Sequence, residues 1–221
     1  PERLSEATAE LAEPGRDCPL CPRLAAFRKA NRKQYPAYFN APVPSFGPAD
    51  ARLLIVGLAP GLHGANRTGR PFTGDYAGDL LYATLKEFGF AKGSYEQRPD
   101  DTLELIDTRI TNAVRCVPPE NKPTGGEIRT CRVFLTAAFN EMPNLKRIVA
   151  LGKIAHDSVV VALGARIAHH KFGHGMIHDF ENVRLFDSYH CSRYNTNTGV
   201  LTPDMFREVF SNVRASFGAI A

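Results

Sequence analysis

The chain contains no stretch of about eighteen consecutive apolar residues, so no segment reads as a membrane-spanning helix. Its opening, PERLSEATAE, lacks the basic-then-apolar order of a secretory signal, and a cytoplasmic protein with no membrane attachment is expected. An even number of cysteines is also lacking. Five thiols in a reducing compartment do not build a disulfide framework, which leaves metal binding or chemistry as their uses. Internal repeats, low-complexity tracts and interdomain linkers are missing too, and 43% hydrophobic residues over 221 positions suffice for one substantial core. A single domain spanning 1–221 is expected.

Acidic residues are absent from 18–49, where Arg23, Arg28, Lys29, Arg32 and Lys33 fall. On a helix, Arg28/Arg32 and Lys29/Lys33 would face each other at i,i+4 and repel, a small unfavourable term that bound phosphates offset by counterion release. A solvated helix face is the competing reading. The net charge of +4 is by itself a weak pointer to a polyanionic partner.

Four apolar runs, 52–57, 108–115, 146–151 and 183–187, alternate with amphipathic segments at 76–88, 126–140, 154–163 and 203–216. This order predicts βαβ units and a mainly parallel sheet. Ligands of such sheets bind beyond the carboxyl ends of the strands, so chemistry is to be sought after Gly57, Arg115, Leu151 and Asp187.

Cys18 and Cys21 form a C-x-x-C pair, and Cys116 and Cys131 complete a set of four. Four thiolates suit a [4Fe-4S] cluster or a structural zinc ion, and the spacing alone does not separate them. The loop after the first run, 57–75, is crowded with glycine, cationic and hydrogen-bonding residues. It lacks the G-x-G-x-x-G order, so no nucleotide cofactor is expected. Asp75 directly precedes an amphipathic segment and reads as a helix N-cap, a role compatible with catalysis. Phe72, between Pro71 and Thr73, offers either a core aromatic or a stacking face. The segment 188–199 concentrates hydroxyl, amide and imidazole groups after a strand end, with His190 in a position that parallel sheets use for ligands. Cys191 beside it is either a small packed residue or a thiol open to oxidation and alkylation.

Three phrases, G-L-A-P-G-L-H-G-A-N-R-T-G-R-P-F-T-G-D at 57–75, A-V-R-C-V-P-P-E-N-K-P-T at 113–124 and S-Y-H-C-S-R-Y-N-T-N-T-G at 188–199, resemble the type 5 branch of the uracil-DNA glycosylase superfamily. With the four cysteines the resemblance covers almost the whole chain. It implies a three-layer α/β fold with a central four-stranded, mainly parallel sheet flanked by helices. It also implies a monofunctional DNA repair enzyme that flips uracil, or another deaminated base such as hypoxanthine, out of DNA and hydrolyses the N-glycosidic bond. A monomer acting on DNA is expected.

The resemblance assigns Cys18, Cys21, Cys116 and Cys131 to a structural [4Fe-4S] cluster. It has Phe72 stack on the extruded base, and Leu58, Ala59 and Gly61 line the pocket floor with His63 close by. Asp75 would orient or activate water, and His190 would donate to uracil O2 as charge spreads over the departing base. Ala59-Pro60 offers no polar side chain where many relatives outside the branch carry one, which shifts the burden to Asp75. Asn112 stands four residues before Cys116, where type 4 enzymes place a base-reading asparagine, and is expected to pair with uracil O4 and N3–H; Asn121 is a second candidate. An amide at Asn112 is further expected to narrow the pocket toward uracil. Asn66, Arg67, Ser192, Arg193, Tyr194 and Asn195 are expected on DNA, Arg193 or Tyr194 filling the vacated stack. Two other classes compete: a non-catalytic iron-sulfur DNA-binding module, and, last, a nucleotide-dependent redox enzyme.

Overall fold

The computed structural model describes residues 13–218. The opening read above for a leader, and both ends of the expected domain, lie outside the described residues. In chain order the elements are α1 (Pro22–Gln34), β1 (Leu53–Gly57), α2 (Ala65–Thr68), α3 (Tyr76–Glu87), β2 (Ala91–Lys92), β3 (Glu104–Leu105), β4 (Thr108–Asn112), α4 (Gly125–Asn140), β5 (Arg147–Leu151), α5 (Lys153–Ala162), β6 (Ile177–Asp179), β7 (Arg184–Ser188), α6 (Arg193–Asn197) and α7 (Pro203–Ser216).

β1 is buried along its whole length because parallel neighbours flank it on both sides, β4 on one and β5 on the other. A strand covered on both faces must read as an unbroken apolar run, as Leu-Leu-Ile-Val does. The sheet order is β4-β1-β5-β7-β6, with β7 parallel to β5 and β6 antiparallel to β7. The four predicted strands are therefore the parallel ones. The fifth, β6, was not foreseen: Ile-His-Asp is too short to give a periodic signal, and it forms by pairing with β7 across a hairpin.

Alternate residues of β1 feed two cores. Leu53 and Ile55 pack with Leu81 and Leu85 of α3 and Phe206 and Phe210 of α7. Leu54 and Val56 pack with Leu135 of α4 and Val159 and Val160 of α5. Truncating one of the buried phenylalanines to alanine would cost about 3–5 kcal/mol. Local signals start the helices on these faces: Thr124 and Glu127 form a capping box at α4, and Thr202 caps α7 ahead of Pro203.

β4 ends at Asn112, short of the expected Arg115. Ala113 and Val114 still donate to the carbonyls of Gly57 and Leu58, and the chain then turns Arg115 inward. From β1 the chain winds outward to β4, then returns past β1 to β5 and winds outward the other way to β7, so the loops after β1 and β5 part in opposite directions. This places the topological switch point, and the crevice of an open sheet, at the end of β1.

Candidate active site

The carboxyl ends of the parallel strands open on a cavity of about 780 Å³ with an adjoining recess of about 30 Å³. Ala59, Gly61, Asp75 and His190 line both spaces. Leu58, His63, Asn121, Ser192, Arg193 and Asn195 line the larger one, and Phe72 and Asn112 the recess. The fold thus brings together residues from all three sequence phrases.

Asp75 is the N-cap of α3, its Oδ1 accepting from the Gly78 N–H at 3.4 Å. Its Oδ2 faces the glycine loop, where a β-carbon at Gly64 would run into it. Burial raises its pKa above the ordinary aspartate value, against the lowering effect of the Gly78 and Ala77 N–H groups.

Phe72 has a left-handed backbone, φ 51°, a conformation that a bulky residue adopts only when its surroundings hold it. The holders are two hydroxyls: Tyr82 donates to the Pro71 carbonyl at 2.6 Å, and Tyr95 to the Phe72 carbonyl at 3.0 Å. Close approach of α3 completes the clamp, since a β-carbon at Gly78 would collide with the Phe72 carbonyl oxygen. The Phe72 ring then stacks over His190, centroids 5.9 Å apart and planes at 28°.

His190 is depressed to a pKa of about 4 by burial, so its ring is neutral at neutral pH. Its Nδ1 is enclosed and meets no hydrogen-bond partner among the described residues. Its loop is anchored from behind, the Asn195 amide donating to the His190 carbonyl at 2.8 Å. Asn112 is buried at the end of β4, and its amide makes no hydrogen bond among the described residues. Asn121 stands exposed at the rim with φ 57°. His63 is exposed and meets the Tyr38 hydroxyl at 3.1 Å through Nδ1.

Several expected DNA contacts have other duties. Asn66 is 1% exposed and donates to Asn40 Oδ1 at 2.9 Å, so its side chain ties the loop inward and cannot reach a strand of DNA. Asn195 turns its amide to the His190 loop, and Ser192 caps α6 through the Asn195 N–H. Arg67 is exposed, but it borders a separate groove with Arg16 and Arg98. Arg193 lies over the Tyr76 ring at 5.4 Å, which leaves Tyr194, 74% exposed, as the free aromatic of that turn. The basic stretch is mostly engaged as well: Arg23 pairs with Glu127, Arg32 with Asp17, and Arg28 is buried. Lys29 and Lys33 remain on the exposed face of α1.

Among the wall residues not singled out from sequence are Tyr76, Lys153, Phe172 and Tyr189. Lys153 follows the end of β5, one of the four positions where ligands were to be sought, but no phrase marks it. Phe172 comes from a segment with no recognisable motif.

The four cysteines of the 18–131 set surround one small space behind this site. Without a metal, burial would hold Cys116 at about 11 and Cys131 at about 12, protonated and poor as ligands. Two buried guanidiniums stand beside them: Arg28 donates to Cys116 Sγ at 3.4 Å, and Arg115, 1% exposed, shares the same wall. The Arg115 N–H donates to Cys131 Sγ at 3.3 Å. Buried cations and N–H groups aimed at sulfur suit a thiolate-ligated centre carrying negative charge. Among the described residues no three of these sulfurs lie within 4.8 Å of one another, whereas thiolates around one zinc ion would sit about 3.8 Å apart. Cys191 belongs elsewhere: it is fully buried, donates to the Ala77 carbonyl, and burial raises its thiol, so of the two readings the small packed residue is the one the fold supports.

Comparison with known proteins adds to this geometry. The pattern of the Uracil DNA glycosylase superfamily matches residues 44–214. The chain is 44% identical to a type-5 uracil-DNA glycosylase of Thermus thermophilus, covering 91% of this chain and 94% of that protein. It is 38% identical to a type-5 uracil-DNA glycosylase of Pyrobaculum aerophilum, covering 92% and 91%. A type-4 uracil-DNA glycosylase from that second organism is 33% identical over 71% of this chain and 66% of its own length.

Proposed function

The chain belongs to the uracil DNA glycosylase superfamily, among its type 5 members, and from that premise we propose that it is a DNA repair hydrolase that cuts uracil out of DNA. The observation that carries this reading is the meeting of Asp75, His190, Phe72 and the unpartnered Asn112 amide around one recess.

A base inside a duplex cannot reach such a recess, so it must be flipped out. Phe72 offers the flat face on which the ring stacks, already held at its angle by Tyr82 and Tyr95. The Asn112 amide supplies both a donor and an acceptor, the pair that uracil O4 and N3–H require. As the glycosidic bond breaks, negative charge spreads over the base, and the neutral His190 ring donates a hydrogen bond to O2. A neutral donor at this point stabilises charge that develops, without attracting a charged ground state. Asp75 as a carboxylate orients water toward the sugar carbon and takes up its proton. Tyr194, exposed on α6, fills the gap left in the stack, and Lys153, Arg193 and Arg67 meet phosphates. Hypoxanthine enters the same recess, but the Asn112 amide favours uracil.

Cys18, Cys21, Cys116 and Cys131 would hold a [4Fe-4S] cluster. When bound, it supplies a covalent tie between the start of α1, the turn after β4 and α4, and takes no part in base removal. The enzyme works as a monomer without a nucleotide cofactor. Among the described residues no helix is long and apolar enough to cross a membrane.

The test is a uracil-containing oligonucleotide incubated with the iron-loaded protein and then treated with alkali, which cuts at abasic sites. Strand scission that disappears in Asp75→Asn and His190→Ala is expected. Binding without scission, on any deaminated base, would leave a DNA-binding module in place of an enzyme.

A further inference from the structure

Behind the His190 loop lies a polar group of side chains that the proposed reaction does not use. Asp187, in β7, is fully buried, as is His156 of α5, and His178 of β6 is 8% exposed. His156 Nδ1 lies 2.7 Å from Asp187 Oδ1, and its Nε2 lies 2.7 Å from the carbonyl oxygen of His170. That carbonyl can only accept, so Nε2 carries a hydrogen. Asp187 Oδ2 accepts from the Gly173 N–H at 3.4 Å and faces His178 Nε2 at 3.0 Å. With Asp187 accepting at Oδ1 too, the His156 ring would bear hydrogen at both nitrogens, as an imidazolium.

The same three side chains have the donor set of a zinc site, their ligand atoms within 4.8 Å of one another. Ligands on a tetrahedral ion with bonds of about 2.0–2.2 Å would stand about 3.3–3.5 Å apart. The observed 2.7 and 3.0 Å are hydrogen-bond lengths, so protons occupy the gap.

These bonds join two walls of the cavity. The backbone of Asp187 exchanges hydrogen bonds with the hairpin arm at Gly175 and Met176, and the Tyr189 N–H donates to His174 Nδ1 at 3.1 Å. The arm carries Phe172, a cavity wall whose ring lies edge-on to His156 at 5.6 Å. His190 follows Asp187 by three residues.

We propose that Asp187, clamped as a carboxylate between the imidazolium of His156 and the ring of His178, is a positioning residue that fixes the height of the His190 loop and seats the cavity wall at Phe172. The proposal rests on the reading of His190 as the group that meets the departing base. Burial pulls the His156 pKa down, but the hydrogen bond and charge of Asp187 outweigh it, and the net shift is upward. The groups facing His156 are Asp187 from β7, His178 from β6, His170 from the arm, and Asp157 on its own helix. The stabilisation is therefore complete below the ordinary histidine value and fades as pH rises through the raised one.

The experiment uses the iron-loaded protein with nitrogen-15-labelled histidine. At pH 7 the His156 resonances should show both nitrogens protonated, and Asp187→Asn should abolish that signature. Asp187→Asn should also lower kcat for uracil release on the order of 10- to 100-fold with KM little changed, as expected for a displaced reacting group. His178→Gln, which keeps an N–H toward Asp187, should retain kcat within about threefold, whereas His178→Leu should not. A His156 ring protonated at one nitrogen, or stoichiometric zinc lost with Asp187, overturns the proposal, as does wild-type kcat in Asp187→Asn. Should Asp187→Asn not fold, the unaltered protein's spectrum and the two His178 variants decide. An unaltered protein that shows the imidazolium but releases no base refutes the reaction and not the charge state.

Discussion

The recess beside Asp75 and the thiol corner behind it both take polar groups out of water, and they treat them in opposite ways. In the thiol corner, Arg28 donates to Cys116 Sγ and to the Cys18 carbonyl, and Arg115 to the Val43 carbonyl and the Thr111 hydroxyl. In the recess, His190 Nδ1 is enclosed and meets nothing among the described residues. A buried polar group left unmatched costs about 1–3 kcal/mol, so a fold keeps one where a ligand completes it. In the thiol corner the guanidiniums hold neighbouring segments together, whereas in the recess an unmatched ring nitrogen stands where a ligand would meet it.

The comparison breaks first at its structural side. Cys116→Ser removes the sulfur that Arg28 faces; iron content and visible absorbance should be lost, and stability should fall by about 3–5 kcal/mol. Thermal denaturation with iron analysis measures both, and an iron-free variant of undiminished stability would erase the distinction. On the waiting side, Asp75→Asn keeps an N-cap, because asparagine caps as well as aspartate. It should melt like the parent while excision falls about 10²–10⁴-fold. The same carboxyl should set the acid limb of the rate profile: activity needs the charged form and is lost as pH falls through a value above 3.8. A limb that persists in the variant assigns it to another group.

His190→Ala should slow single-turnover excision about 10²–10³-fold, some 2.7–4 kcal/mol of barrier. Its melting temperature should hold or rise, because an enclosed unmatched nitrogen is removed. A large loss of stability there would move His190 to the structural side. The smallest effect belongs to Asn112→Ala, where one or two hydrogen bonds to the base are lost, about tenfold on uracil. Hypoxanthine excision should fall less, and an unchanged ratio of the two rates removes Asn112 from base choice.

β1 and β5 were the most legible strands because each is covered on both faces and reads as an apolar run, whereas β6 was not, its three residues holding together only through β7. The recess was legible through long phrases whose residues act within one loop, such as 57–75. Where a residue's duty depends on a partner far along the chain, the phrase misleads: Asn66 sits in the densest of them and yet binds Asn40. Arg28 reads as half of a repelling pair on α1, but its partner is a sulfur 88 positions away. The group around Asp187 joins α5, β6 and β7, and no local pattern announces it. Its trace in the sequence is an aspartate inside the apolar run Arg-Leu-Phe-Asp-Ser and a histidine inside a helix of valines.

Gly78 gives the molecule an indirect lever. It stands in the first turn of a helix and lines neither cavity, but a methyl group there would press on both the Phe72 carbonyl and the Tyr95 hydroxyl that holds it. Sequence drift at that point would be felt as a change in which lesions fit, without any residue of the recess having altered. A library built to retune lesion choice should begin at position 78, where the smallest side chain moves the largest flat surface.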